Sequence, residues 1–345
     1  MAGIGWGIVG YGWVARDFMA PAIRAAGDRL VAVCDPSPAA RAAAEDARGT
    51  DDLAEFLADP AVEAVYVATP NHLHRRAVEA AAATGKAILC EKPMAATLAD
   101  AEAMAAAVRR HGAFYGTAFD QRHHPAHRVM RDLVRAGRLG TVTALRIVYA
   151  CWLDRHFAPS PGHDNWRVDR ARAGGGALID LAPHGLDLAG FLLDDPLVEV
   201  AALAQGRVHD YATRGAGVDD GAVLVARSAS GVLANLHVAY NHPDALPRRR
   251  LEVVGTEGLL VAEDTMGQDA GGRVALTRLD GRVDRVPFDE TASPFLEQVR
   301  AFGAALRDPT LREAWSIERD IATMRLVAQA GEAIAAPAVS ASSAA

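Results

Sequence analysis

The apolar positions fall into two regimes. In the first part of the chain, short apolar runs at Gly5–Val9, Leu30–Cys34, Val65–Ala68 and Ala87–Cys90, with a weaker one at Phe114–Ala118, alternate with helical stretches at 39–47, 74–84 and 98–111. Short strands alternating with helices in this way read as βαβ units on a parallel sheet. From about residue 141 the runs change character. Val142–Tyr149, Val198–Leu203, Ala222–Ala226, Val232–Ala239, Arg250–Val254 and Leu259–Val261 are separated by turn-like gaps with few helices between them. The stretch DGAVLVARSASGVLANLHV holds two strands around Ser-Ala-Ser-Gly, a hairpin signal. These runs predict a mostly antiparallel sheet. Leu178–Leu193 and Ile317–Ile334 predict helices. The expected organisation is an α/β chain: residues 1–120 as one domain, 121–335 as a second ending in a helix at about 313–335, and a frayed tail at 336–345.

Composition narrows the classes. The chain has 345 residues, half of them hydrophobic and 23% charged, enough apolar material to bury two cores and too much for disorder as the main state. No stretch reaches the ~18 uncharged apolar residues of a membrane helix. The N-terminus lacks a basic segment, so no signal peptide is expected. The net charge of -7 and the lack of a basic stripe argue against nucleic acid as a partner. Cys34, Cys90 and Cys151 are far apart and show no CxxC spacing, which fits neither a disulfide framework nor a zinc knuckle. A reducing cytoplasm is the expected compartment.

Residues 7–15, GIVGYGWVA, carry the first chemistry. Gly10-Tyr11-Gly12-Trp13-Val14-Ala15 is a G-x-G-x-x-A fingerprint between a strand and a helical segment, the context a dinucleotide pyrophosphate requires. One glycine makes the turn and the next removes a Cβ that would strike the phosphates, which then face a helix N-terminus. Asp35 ends the second strand roughly 20 residues on, where an acid binds the ribose hydroxyls. A carboxylate there disfavours a 2′-phosphate, so NAD is expected over NADP. Trp13 is bulky for this turn.

Further motifs narrow the reading. ATPNHLH at 68–74 and LCEKP at 89–93, followed by GTAFDQRHHPAH, LVRAGRLGTV and WRVDRARAGGGALIDLAPHGLDL, resemble the Gfo/Idh/MocA family of sugar and cyclitol dehydrogenases, over nearly the whole chain and in the family's order. The resemblance implies an N-terminal Rossmann domain and a C-terminal α/β domain with a large open sheet that mediates dimers or tetramers. It implies Lys92 near the nicotinamide and the substrate hydroxyl, and Asp180 and His184 as the pair completing the catalytic group. Thr69, Pro70, Asn71, His74 and Glu91 match the loops beside the cofactor, and Trp166-Arg167 matches the family's W-R pattern. The family does not fix the substrate.

The residue types suit that chemistry on their own terms. Hydride transfer from an alcohol needs the two carbons held close, a route for the hydroxyl proton and stabilisation of charge on the oxygen. Lysine suits the last task and histidine the proton. On a helix, Asp180 and His184 are i,i+4 neighbours on one face, and Asp187 lies near it. Pro183 is tolerable only near a helix start. Gly174-Gly175-Gly176 reads as a close-approach loop. His123, His124 and His127 lack neighbouring Cys or Glu ligands, so no metal is expected, and Arg122 is the better substrate candidate in that loop. Trp152, His156, His163, Asn165, Trp166 and Arg167 suit recognition of a polyhydroxylated ring.

The expected activity is NAD(P)-dependent oxidoreduction of a secondary alcohol or ketone on a sugar, sugar derivative or cyclitol. Alternatives are an NAD-dependent glycoside hydrolase on the same fold, an imine- or biliverdin-type reductase, and a non-catalytic NAD(P)-binding regulator. The first should depart from the pattern at the lysine, and the regulator should lack one of the three side chains. None of Lys92, Asp180 and His184 is missing.

Overall fold

The computed structural model describes residues 3–156, 165–213 and 217–335. The first layer is a six-stranded parallel sheet. Its strands are β1 (Gly5–Val9), β2 (Arg29–Cys34), β3 (Arg48–Thr50), β4 (Ala64–Val67), β5 (Ala87–Glu91) and β6 (Tyr115–Ala118), in the order β3-β2-β1-β4-β5-β6. β1 and β4 are buried along their whole length, which is why they read as continuous apolar runs. The edge strand β3 is Arg-Gly-Thr and leaves no apolar signal. A π-helical turn at Ala15–Met19 leads into α1 (Ala20–Ala25). Then follow α2 (Pro38–Ala42), α3 (Leu53–Ala58), α4 (His74–Ala83) and α5 (Leu98–His111). Side chains of Ser37, Asp52 and Thr97 cap the starts of α2, α3 and α5. The strand order reverses between β1 and β4, and a doubly wound sheet opens a crevice at that reversal.

The second layer contains α6 (Pro125–Arg135), β7 (Val142–Ala150), α7 (Arg170–Ala173), α8 (Ala177–Leu193), β8 (Leu197–Gln205), α9 (Asp210–Thr213) and β9 (Gly221–Ser228). It continues with β10 (Leu233–Ala239), β11 (Arg249–Gly255), β12 (Gly258–Glu263), β13 (Arg273–Arg278) and β14 (Val283–Arg285). Its eight strands run in the order β14-β13-β12-β11-β7-β10-β9-β8. Neighbours are antiparallel except β7 and β10, which are parallel. Alternation along β9 and β10 puts Leu224 and Leu236 in the core and leaves Val223, Val225 and Leu233 exposed on the open face.

α8 covers the inner face of that sheet and is buried along almost its whole length. It continues through Pro183. The stretch Arg170–Leu193, which spans α7 and α8, is the one among the described residues long and apolar enough to cross a membrane, and 78% of its most apolar 18-residue window lies buried inside the fold. Core packing therefore accounts for its apolarity.

The two remaining helices, α10 (Pro294–Arg307) and α11 (Ile317–Ala335), do not keep to one layer. Phe295, Val299 and Phe302 of α10, with Trp315, join Trp6, Ile8 and Met19 in the core of the first layer. Ile321 and Met324 of α11 pack with Met104 and Tyr115, while Leu326 and Val327 join the second core. α10 thus belongs by packing to the first layer, against its expected place in the second. The last helix starts at Ile317, because Pro309–Ala314 wind as a 3-10 turn. The expected tail at 336–345 lies outside the described residues.

Candidate active site

The glycine turn sits at the crevice between β1 and β4. Gly10 has φ +88, and a Cβ on it would come within 2.8 Å of the Ala68 and Thr69 backbone, so only glycine fits there. Gly12 O accepts from Arg16 N at 2.9 Å and opens the helical segment. The Asp35 carboxylate, buried at 5% exposure, accepts from Tyr11 N and Ser37 N, each at 2.8 Å. It fastens the turn to the end of β2. The Tyr11 side chain is buried in the first core, so only its backbone belongs to the turn.

The loop after β4 closes the other side. Pro70 opens the turn Asn71–Leu73. Asn71 Nδ2 donates to Ala173 O at 2.8 Å and ties this loop to α7 of the second layer. His74 Nε2 lies 2.9 Å from Thr69 O and Nδ1 3.1 Å from Pro93 O. A neutral ring has one N–H and can donate to only one of them. Burial pushes its pKa down to about 4, so the ring stays neutral, bonds one of these loops and packs against the other. Thr69 Oγ1 is buried without a partner. The space it borders, beside the glycine turn, suits a dinucleotide.

One cavity runs from Trp13 and Val14 past Thr69, Asn71 and Glu91 to Lys92, Asp180 and His184. Lys92 follows β5 directly. Its Nζ donates to Asp180 Oδ1 at 2.7 Å and to Asp180 O at 3.0 Å. Asp180 Oδ2 accepts from Tyr240 Oη at 2.6 Å, and Arg167 Nε stands 4.0 Å from it. Burial alone would raise the Asp180 pKa. The Lys92 ammonium and the Arg167 guanidinium outweigh that and hold the carboxyl well below its usual range. Glu91 accepts from Tyr66 Oη and from Lys92 N; burial raises its pKa to about 7 against the lowering effect of Lys92.

His184 is one turn beyond Asp180 on α8. Its Nδ1 lies 3.2 Å from Asp120 Oδ1, off the line of a good hydrogen bond. Tyr149 meets its ring edge-on at 5.3 Å. Burial and Lys92 push the imidazole pKa down, and Asp120 opposes them. The start of α8 is brought here by close backbone packing. A Cβ on Gly176 would lie 1.9 Å from Asp219 O, and Asp219 caps the helix by accepting from Gly176 N and Leu178 N.

Trp166 and Arg167 both line the cavity, the guanidinium 4.5 Å from the indole centroid. Trp152 lines it too. Asn165 instead bonds Asp154 O, and His156 is exposed. His163 lies outside the described residues.

Arg122 does not line the cavity. Its guanidinium makes two bonds to Asp187, at 2.6 and 2.7 Å, because Asp187 lies two turns, about 10 Å, further along α8 than Asp180 and beyond the cavity. Arg122 is therefore an internal ion-pair partner rather than a group facing substrate. The three histidines diverge. His123 stacks on Trp315, His124 caps α6, and His127 contacts Gln121 O and Thr265 Oγ1. Among the described residues no three His, Cys, Asp or Glu converge as a metal set. Asp120, Tyr149, Tyr240 and Arg249 line the cavity without having been singled out from sequence. The one signal was for Asp120, which lies inside the quoted GTAFDQRHHPAH motif.

A dinucleotide crevice that opens onto a lysine, a carboxylate and a neutral imidazole defines an NAD(P)-dependent oxidoreductase of CH–OH groups. Residues 4–119 match the model of the oxidoreductase family with an NAD-binding Rossmann fold, and residues 127–261 that of the GFO/IDH/MocA C-terminal domain. The chain belongs to the Gfo/Idh/MocA family. It is 35% identical to 1,5-anhydro-D-fructose reductase of Ensifer adhaerens over 94% of this chain and 96% of that one. Against levoglucosan dehydrogenase of Pseudarthrobacter phenanthrenivorans the identity is 28%, over 85% and 80%. The crystal structure of aldose-aldose oxidoreductase from Caulobacter crescentus complexed with glycerol matches with TM-score 0.83 and 26% identity, over 96% and 97% of the chains. NAD or NADP is the cofactor of this group of proteins.

Proposed function

We propose that the protein interconverts a secondary alcohol and a ketone on a sugar, sugar derivative or cyclitol, with NAD preferred over NADP. The observation that carries this reading is the Lys92–Asp180 pair at 2.7 Å, in one cavity with a neutral His184, beside the glycine turn. A bound nicotinamide would supply the hydride acceptor in oxidation and the hydride donor in reduction. Gly10, Gly12, Trp13, Val14, Thr69 and Asn71 are the residues to hold the cofactor, with Asp35 at its ribose end.

The remaining work falls to this chain's side chains. In the oxidative direction His184 accepts the hydroxyl proton. A carboxylate beside Nδ1 favours the tautomer with its hydrogen there, which leaves the Nε2 lone pair as the base. Lys92 donates to the substrate oxygen as negative charge develops on it. Asp180 fixes the ammonium, and Tyr240 fixes Asp180. Trp166 and Arg167 supply an apolar face and a donor to a ring. The open face of the second sheet, with Leu203, Val223, Val225 and Leu233 exposed, is the proposed surface for a homodimer or homotetramer.

A reduction screen with NAD⁺ and NADP⁺ over sugars and inositols tests the activity, and Lys92→Ala tests the assignment. Near-normal turnover in that variant would overturn it.

A further inference from the structure

Three cations line the cavity: Lys92, Arg167 and Arg249. Two of them face Asp180, Lys92 at 2.7 Å and Arg167 at 4.0 Å. Arg249 differs. Among the described residues it enters no ion pair, and its Nε is buried without a hydrogen-bond partner. The cavity's carboxylates are engaged elsewhere: Asp180 by Lys92 and Tyr240, Glu91 by Tyr66, Asp120 beside His184. A guanidinium whose Nε–H is buried and unpaired loses hydration at that edge, and its planar fork matches an oxyanion.

The position is built rather than incidental. Arg249 opens β11 and pairs in register with Tyr149 of β7, whose ring meets His184. The cation thus stands in the cavity wall beside Tyr149. The loop after β12 crosses the guanidinium at Gly267, where φ is +131 and a Cβ would lie 2.3 Å from Arg249 Nη1. Gln121 Nε2 donates to Gly267 O at 2.9 Å and pins that loop. The guanidinium is therefore closely covered by the Gly267 backbone, and its Nε–H is left unused.

We infer that the substrate carries an anionic group, a carboxylate or a phosphate ester, and that Arg249 receives it. This inference rests on the sugar oxidoreductase reading and names the substrate class within it. Carbohydrate acids and phosphorylated sugars or cyclitols supply such a group.

Calorimetric titration of the NADH-loaded protein with D-glucose, D-glucuronate and D-glucose 6-phosphate tests it. One of the two anions is expected to bind about tenfold or more tightly than glucose, and the pair separates carboxylate from phosphate. Arg249→Leu should abolish that advantage, and Arg249→Lys should restore part of it. Gly267→Ala, which crowds the guanidinium, should weaken the anion in the same way, guarding against a misfolded Arg249 variant. Equal binding of all three compounds, no binding of either anion, or an advantage that survives Arg249→Leu overturns the inference. Turnover, read by the absorbance of reduced nicotinamide, reports separately. Anion binding without oxidation of any sugar overturns the oxidoreductase reading and leaves Arg249 as an anion site. Turnover of neutral sugars without anion preference does the reverse.

Discussion

His184 Nδ1 lies 3.2 Å from Asp120 Oδ1, a contact between α8 of the second layer and the segment just after β6 of the first. The proposed proton acceptor thus meets a carboxylate from the opposite layer. Asp120 favours the imidazolium and so raises the His184 pKa, which burial and Lys92 lower. Asp120→Asn should therefore move the acid limb of the kcat/KM profile to lower pH. It should also reduce kcat about tenfold or more through loss of orientation. A profile that stays in place would show that Asp120 does not act on His184.

Lys92→Ala should lower kcat/KM by roughly two to four orders of magnitude, since it removes the proposed donor to the developing oxyanion. Cofactor binding, followed by NADH fluorescence, should persist. Without the Lys92 charge the His184 pKa rises, so the residual activity should show its acid limb at higher pH, opposite in sign to Asp120→Asn.

Tyr240→Phe deletes the 2.6 Å bond to Asp180 Oδ2. A hydrogen bond to a charged group contributes ~1.5–3 kcal/mol to stability, so the melting temperature should fall by a few degrees, and kcat/KM should fall about tenfold as Asp180 loses its orientation. Steady-state kinetics and calorimetric melting check both parts.

Asp35→Asn should loosen the glycine turn, because one amide face cannot accept from Tyr11 N and Ser37 N together. The KM for NAD should rise several-fold, and the preference for NAD over NADP should shrink as the negative charge is lost. Cofactor KM values measured side by side decide this.

Asp187→Asn leaves Arg122 without its carboxylate in a site where the Asp187 side chain is only 1% exposed. Breaking such a pair costs about 3–5 kcal/mol. Urea unfolding should show the loss. Well below the melting temperature, the substrate KM should change less than threefold, in keeping with an ion pair that does not line the cavity.

The legible part of this molecule is the part encoded locally. Gly10, Lys92, Asp180 and His184 sit in short motifs whose spacing fixes their neighbours, and the runs of β1 and β4 announce a sheet buried on both faces. β3 could not be seen, because Arg48-Gly49-Thr50 carries no apolar pattern. Tyr240 and Arg249 reach the cavity through strand register and strand ends far from any motif. Arg122 looked free for substrate because its partner, Asp187, lies 65 residues away. The amphipathic pattern of α10 shows that it has an apolar face but not which layer receives it.

The return of α10 bears on how the chain is made. Phe302 packs against Trp6 and stacks on Phe114, and Phe295 stacks on Phe18. All three partners leave the ribosome long before residues 295–302 exist. At about 5–20 residues per second, the nascent first layer holds an unfilled aromatic groove for on the order of ten to thirty seconds. A fragment released after residue 120 would keep that groove permanently, as a binding site for chaperones and for other copies of itself.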